Sequence, residues 1–351
     1  MKREVFVQGK GLASALGSNL PAALAQLATG GIAPGTLSGS ATLGWPYFGI
    51  ADDEPDWLLR TRKLITQSVA ECGITDRTAA LFLASCSINI GAIETSLEKH
   101  GDCLDFGEAI ARRLNWLGPV YWISTACTSA SNALLAASAN IASGHGENAL
   151  VLGVELRNRF TCGGFAAMQL LDTQRPRPLA ADRNGLVLGE AVAALWLGTE
   201  PGRWRLAGGA NIVDGRDPAG ASAEAVTRMT HAALANAGLH SSDIGLIKLQ
   251  AAGSLTSDGA ELDGLRAALG ELPALTTLKA EIGHTLGASG AAELALLCAC
   301  IEHGIWVAPR AAADPALNAA LSLYAPEARF ILSNILGFGG GHATLILEDC
   351  A

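Results

Sequence analysis

Val120-Tyr121-Trp122-Ile123-Ser124-Thr125-Ala126-Cys127-Thr128-Ser129-Ala130 passes from a short apolar run through a small polar turn into a helical pattern that continues to residue 142. The run 120–124 has the length, bulk and turn-residue boundary of a strand. The helix predicted over 129–142 is almost wholly apolar, so it has no face to give to water and must be buried all round. A helix buried on every side needs layers above and below it. The same unit recurs loosely at 276–302, with a strand predicted over 276–280 and a second apolar helix over 291–302. Two such units predict an α/β fold of five layers, αβαβα, with the two buried helices at its centre.

Outward from these units, apolar runs bounded by turn residues predict strands over 80–85, 149–154, 186–197 and 244–249. Helical patterns cover 223–237 and 261–268. The runs 330–336 and 343–347 flank glycines 337 and 339–341 and read as a hairpin. Residues 30–55, rich in Gly, Ser, Thr and Pro, read as an irregular surface excursion. No linker composition divides the chain, so a single domain over 1–351 is expected, with an N-terminal half to about residue 200 and a C-terminal half from about 201.

Half of the 351 residues are hydrophobic, 16% are charged and 5% aromatic, which calls for a core of small and aliphatic side chains packed in layers. A net charge of −9 without a basic run argues against nucleic acid as a partner. Arg60, Arg62 and Lys63 read first as a solvated helix face. Eight cysteines, at 72, 86, 103, 127, 162, 298, 300 and 350, show no CxxC spacing and no paired Cys/His cluster, so neither a metal site nor a disulfide framework is expected. Met1-Lys2-Arg3-Glu4 leads straight into Val5-Phe6-Val7 without a signal-peptide core, and the apolar runs break before a membrane-spanning length. A cytoplasmic location follows as the expectation.

Cys127 stands where a strand gives way to a buried helix. Unpaired N–H groups and the macrodipole at a helix N-terminus favour a thiolate there. Small neighbours, Ala126, Thr128 and Ser129, leave room for a substrate tail. The competing reading, a buried structural cysteine, is kept for Cys86, Cys162, Cys298 and Cys300.

Ser124-Thr125-Ala126-Cys127-Thr128-Ser129-Ala130 resembles the nucleophile motif of the β-ketoacyl-[acyl-carrier-protein] synthases, which have the thiolase fold. Three further stretches follow in that family's order: Arg177-Pro178 with 182–190; Leu278-Lys279-Ala280-Glu281-Ile282-Gly283-His284 through Gly290; and Asn334-Ile335-Leu336-Gly337-Phe338-Gly339-Gly340. Together they are specific, and they cover the chain from about residue 120 to its end. Before that, only the opening strand and glycines 9–17 resemble the family, in a shortened front half.

The resemblance implies that Cys127 accepts an acyl group, with the backbone N–H groups of Cys127 and Phe338 holding the oxyanion. It makes His284 one of two enolate-stabilising histidines, Lys279 the lysine near it, and Glu293 that lysine's carboxylate partner. Thr128, Ser129, Leu336 and Gly339 would border the substrate pocket, with Asp258 and Glu261 supporting it. The family's first catalytic histidine is missing: without a gap, its position falls on Gln250. A glutamine donates a hydrogen bond but exchanges no proton near neutral pH. A gating phenylalanine is replaced by Leu336, and His342 stands where the family usually has Asn. His284 has a bland alternative as a loop histidine capping the next helix; His342 reads as incidental.

The favoured implication is a partner subunit resembling the chain-length factors of type II polyketide or aryl polyene systems, paired as a heterodimer with an active ketosynthase, or otherwise as a homodimer, through the strand 120–124. The alternative is a β-ketoacyl synthase or acyltransferase that loads Cys127 and condenses poorly. A cysteine hydrolase is the weakest reading. The partner delivering acyl groups is an acyl carrier protein, whose acidic surface calls for a basic patch; Arg60, Arg62, Lys63, Arg112 and Arg113 are candidates. No metal or diffusible cofactor is implied.

Overall fold

The computed structural model describes residues 3–40, 43–74, 76–95, 104–216 and 220–351; Cys103 lies outside them. Ten strands form the main sheet: β1 Phe6–Ser14, β2 Ala80–Ala84, β3 Val120–Ile123, β4 Asn148–Glu155, β5 Ala191–Gly198, β6 Trp204–Val213, β7 Ile244–Lys248, β8 Ala274–Thr276, β9 Phe330–Leu336 and β10 Gly341–Asp349. Their spatial order is β8-β7-β9-β10-β6-β1-β5-β4-β2-β3. β1 and β6 are joined through only two residue pairs, Phe6 with Arg205 and Val7 with Trp204. The sheet is therefore two five-stranded halves meeting at a narrow seam.

The halves repeat each other. Adding five to each label of β1-β5-β4-β2-β3 gives β6-β10-β9-β7-β8, the order on the other side of the seam. The strand directions repeat as well. β2 runs parallel to β3 and β4, while β5 is antiparallel to β4 and β1. Likewise β7 runs parallel to β8 and β9, while β10 is antiparallel to β9 and β6. The loose repeat in sequence is thus a full repeat in topology.

Six helices complete the layers: α1 Trp57–Glu71, α2 Leu104–Arg113, α3 Ser129–Ala142, α4 Ala223–Ala237, α5 Ser257–Leu269 and α6 Ser289–Glu302. α1 and α2 cover the outer face of the first half-sheet; α4 covers that of the second, with α5 packed beside it. α3 and α6 pack on each other between the two half-sheets, which makes the expected thiolase-like αβαβα stack. Their composition explains the position, although α3 is not buried all round as expected: Ala139 is exposed and Leu135, Ala136 and Ser138 are half-buried. Ala130, Ala133, Leu134, Ala137 and Ile141 of α3 have no exposed surface, and neither do Ala291, Ala292, Leu294, Ala295 and Leu296 of α6. Small residues let the helices approach closely: a Cβ on Gly290 would run into the backbone and Oγ of Ser131.

Several expectations need correction. The apolar run 186–197 is not one strand. Leu188–Gly189 joins a separate three-stranded sheet, and β5 begins only at Ala191. The other members of that small sheet are Gly35–Ser38 and Gly44–Phe48, so the stretch 30–55 is partly regular. The strand expected over 276–280 ends at Thr276, and Lys279–Ile282 turns helical. α5 starts four residues before Glu261, which brings Asp258 into the helix as well.

Arg60 is the largest departure. It is fully buried, with Nη1 2.7 Å from Glu190 Oε2, Nη2 2.7 Å from Glu190 Oε1 and Nε 2.9 Å from Asp52 Oδ2. A guanidinium spent on two buried carboxylates is not a solvated face and has nothing left for a docking patch. Arg62 and Lys63 do lie exposed.

Candidate active site

Cys127 lies in the turn between β3 and α3. The residue before it, Ala126, has φ +50°, a left-handed conformation that costs energy for a residue with a Cβ and persists only where the surroundings hold it. They do so here through hydroxyls. Thr128 Oγ1 donates to Thr125 O at 2.7 Å, Ser129 Oγ donates to Ala126 O at 2.6 Å, and Thr125 N donates to Ser129 Oγ at 2.9 Å. Thr128 and Ser129 therefore build the turn that carries Cys127; neither lines the cavity described below.

His284 occupies the matching place in the second half, after β8 and before α6. Its Nε2 is 3.0 Å from Cys127 Sγ, and its Nδ1 is 3.1 Å from Ser289 Oγ. Nδ1–H donating to Ser289 leaves the Nε2 lone pair facing the thiol. Both side chains are buried. Burial pushes the Cys127 thiol up to about 11, against the opposing pull of the Phe338 backbone N–H and the Lys279 charge. Burial, reinforced by Lys279 and Lys248, holds the imidazole well below its ordinary 6.5. The resting pair is a thiol beside a neutral imidazole, the arrangement in which a histidine serves as general base.

The glycine turn between β9 and β10 closes over the sulfur. A Cβ on Gly337 would lie 3.3 Å from Cys127 Cβ and from Thr128 Cγ2. The backbone N–H groups of Phe338 and of Cys127 itself both act on the thiol, which places them beside the spot where the oxygen of a thioester attacked by this sulfur would lie. The Phe338 ring stacks on Phe165, with centroids 5.1 Å apart and planes 9° from parallel. Gly339 supplies φ +79° to the turn but does not line the cavity.

One cavity contains the sulfur; Cys127, His284, Gln250, Leu336, Phe338 and Phe165 are among its walls. Gln250 thus faces the space shared by the dyad, and its Oε1 has no hydrogen-bond partner among the described residues. Two carboxylates of α5 hold the turn that carries it. Glu261 accepts from Gln250 N at 2.8 Å and Ala251 N at 3.0 Å, while Asp258 accepts from the N–H groups of Leu179, Ala252, Gly253 and Ser254, each at 3.1 Å. Burial raises both carboxyls, that of Glu261 to about 7.

Behind the wall, Glu293 of α6 lies between two ammonium groups. Lys279 contacts Oε1, and Lys248 Nζ is 2.8 Å from Oε2. None of the three has exposed surface, and none lines the cavity. Among the described residues no cluster of three or more His, Cys, Asp or Glu is placed to hold a metal, and no helix is long and apolar enough to cross a membrane.

Two family models, the beta-ketoacyl synthase N-terminal domain over residues 107–201 and the C-terminal domain over 207–312, match adjoining stretches of the chain. The chain belongs to the β-ketoacyl synthase family. It is a divergent member. The chloroplastic 3-oxoacyl-[acyl-carrier-protein] synthase II of Arabidopsis thaliana is 27% identical over 89% of this chain and 66% of its own length. The 3-oxoacyl-[acyl-carrier-protein] synthase 2 of Rhizobium meliloti (strain 1021) is 31% identical over 66% of this chain and 61% of its own. Nodulation protein E of Rhizobium sp. (strain N33) is 28% identical over 56% and 52%. The chain thus spans about half to two thirds of these relatives. Among solved structures, the ketosynthase ApeO in complex with its chain length factor ApeC, from Xenorhabdus doucetiae, matches with TM-score 0.85 and 25% identity over 99% of this chain and 98% of that one. The ishigamide ketosynthase/chain length factor matches with TM-score 0.87 and 22% identity over the whole of both chains.

Within this β-ketoacyl synthase framework, sequence reasoning missed three residues. Lys248 looks like an ordinary end of an apolar strand. Phe165 sits in a helix, Arg159–Ala167, that showed no clear periodicity. His342 is not incidental: its Nε2 accepts from Ser222 N at 3.1 Å and its Nδ1 lies 2.9 Å from Gly340 O, so it ties the glycine turn to the N-cap of α4. Its place two residues past that turn was the available signal.

Proposed function

We propose that this chain is a ketosynthase-like subunit of a fatty acid or polyketide pathway, of the aryl polyene kind among others, that takes an acyl group from an acyl carrier protein onto Cys127 and works beside an active ketosynthase. The observation that carries the acyl-accepting role is the 3.0 Å contact between Cys127 Sγ and His284 Nε2 under the Phe338 N–H. His284 takes the thiol proton as the sulfur attacks the thioester carbonyl. The tetrahedral oxyanion rests on the N–H groups of Cys127 and Phe338. Collapse expels the phosphopantetheine thiolate, which recovers the proton from His284, and leaves a thioester on Cys127. The acyl group arrives on its carrier, so the step needs no diffusible cofactor, and a cytoplasmic setting suits it.

Decarboxylative condensation is where the site falls short. Gln250 offers an uncharged amide where the family presents a second imidazole, and losing one donor of this class costs roughly 10²–10³ in rate. This deficit, the smaller gate at Leu336 and an uncovered edge strand support the partner role. Among the described residues β3 pairs on one side only, with β2, and Val120 and Tyr121 expose 37% and 46% of their surfaces. The likeness to structures of ketosynthases with their chain length factors points the same way. An autonomous but slow synthase is the second reading, favoured by the assembled Cys127–His284 dyad.

Intact-mass spectrometry after incubation with acyl-carrier proteins of short and long chain tests the proposal, on wild type and Cys127→Ala. A stable acyl adduct on the wild type that disappears in the variant is the expected result; no adduct with any chain overturns the acyl-accepting role. Adding malonyl-carrier then separates the two readings, since release of carbon dioxide by the isolated chain favours the synthase.

A further inference from the structure

Lys248 ends β7 two residues before Gln250, and its ammonium is enclosed by protein. It donates to Glu293 Oε2 at 2.8 Å and to Asn334 O at 2.6 Å. The Asn334 side chain in turn donates from Nδ2 to Glu261 Oε1 at 3.2 Å, and Glu261 holds the N–H groups of Gln250 and Ala251. One line of contacts therefore runs Lys279–Glu293–Lys248–Asn334–Glu261–Gln250, from behind His284 to the opposite wall of the cavity.

Charge counting gives that line a purpose. Glu293 alone stands between two lysines; burial pulls Lys279 down while Glu293 holds it up, and a cation buried without a counterpart is strongly destabilising. Glu261, reached from Lys248 through Asn334, can supply the missing negative charge, which would make two cations against two carboxylates. Glu261 gains in turn: all three of its side-chain contacts here are N–H donors, which an ionised carboxylate satisfies and a protonated one satisfies less well.

We propose that Lys248 is a positioning residue for the Gln250 wall: it keeps Glu261 ionised, and ionised Glu261 holds the 250–251 turn against the cavity. This deepens the acyl-accepting reading above, but its test requires no acyl group. The other charged or titratable groups around Glu261 are Asp258, one turn earlier on α5 and occupied with its own N–H cage, Lys279 and Glu293 beyond Lys248, and Cys127 and His284 across the cavity. Burial raises Glu261 to about 7 against the Gln250 N–H, the Asn334 amide and the Lys248 charge, so its charge state changes within the neutral range.

The test is the rate of alkylation of Cys127 by iodoacetamide, a neutral reagent, followed by site-resolved mass spectrometry on the full chain from about pH 5.5 to about 9. A thiol near 11 acting alone gives a straight line of log rate against pH over this range. His284, held well below 6.5, leaves the neutral region undisturbed. The expected wild-type line breaks near pH 7; Glu261→Gln straightens it, Lys248→Met moves the break to higher pH, and Lys248→Arg leaves it in place. Should Lys248→Met fail to fold, Lys248→Gln keeps a donor for Asn334 O and carries the same expectation. A straight wild-type line, a break that survives Glu261→Gln, or a break that stays put when the charge at 248 is removed overturns the proposal. Each of these results is independent of whether an acyl carrier ever loads Cys127.

Discussion

At the residue scale the chemistry rests on a proton. Burial pushes the Cys127 thiol up to about 11, so at pH 7 it rests as a thiol rather than as a preformed thiolate. The helix N-terminus, which by itself favours a thiolate, is outweighed by desolvation. What remains is His284, neutral and 3.0 Å away. The same neutrality has a measurable cost. In the unfolded chain this histidine protonates near 6.5, whereas in the fold it does not until well below, so the unfolded state binds the extra proton first. The stability linked to His284 is fully present above about pH 6.5 and falls as the pH drops towards the depressed folded value, by up to about 1.4 kcal/mol per unit. Denaturant titrations across that window should show His284→Asn losing this part of the slope; an unchanged slope would contradict a buried neutral ring. Gln250→His should raise carbon dioxide release from malonyl-carrier by roughly 10²–10³ once Cys127 is acylated, provided the new ring reaches the carbonyl. No increase would place the deficit elsewhere than residue 250.

At the scale of elements, two short turns are aimed at one sulfur by the helices and strands behind them. Gly340 has φ +73°, and a Cβ there would collide with Asp214 O, so Gly340→Ala must displace the turn that carries the Phe338 N–H. Acyl transfer to Cys127 should drop by roughly 10²–10³ with circular dichroism unchanged, the cost of withdrawing one oxyanion donor. Retention of full transfer would show that this N–H is dispensable. Glu293 presents the opposite case, a residue whose loss should be felt in stability. Glu293→Gln leaves Lys248 and Lys279 buried together without their shared carboxylate, and about 3–5 kcal/mol of unfolding free energy should go with it. A loss below about 1 kcal/mol would mean that one of the lysines is already neutral in the fold.

For the whole molecule, the twofold repeat explains why the site exists where it does. β3–α3 delivers Cys127, β8–α6 delivers His284, and the packing of α3 on α6 between the half-sheets brings the two helix starts together. Because both halves share those central helices, we propose that residues 1–351 unfold as one domain, which calorimetry should register as a single transition. Among the described residues the outer edge of β3 is open, and the proposed partner role puts a second copy or a ketosynthase beside it; light scattering that finds a stable monomer in both the isolated and the co-expressed chain would contradict this. The central helices and the turns that carry Cys127 and His284 were legible in sequence because small-residue helices and glycine turns tolerate few alternatives. Long-range polar pairing was not. Arg60 meets Glu190 across 130 residues and Lys248 meets Glu293 across 45, and nothing local distinguishes such cations from solvated ones. β6 escaped notice because Gly208 and Gly209 interrupt its apolar pattern. They are glycines because a Cβ would strike Ala237 at one and Thr344 O at the other. The run 186–197 misled because burial continues through the break at Glu190, a charge that Arg60 neutralises.

The central claim is that a neutral imidazole draws the proton from a buried thiol so that Cys127 can accept an acyl group. Single-turnover transfer from an acyl-pantetheine thioester at pH 7, followed as thioester formed on Cys127, measures that step alone. With His284→Asn the rate should fall by about 10²–10⁴, the usual contribution of a positioned general base. A variant that transfers as fast as the wild type would contradict the account.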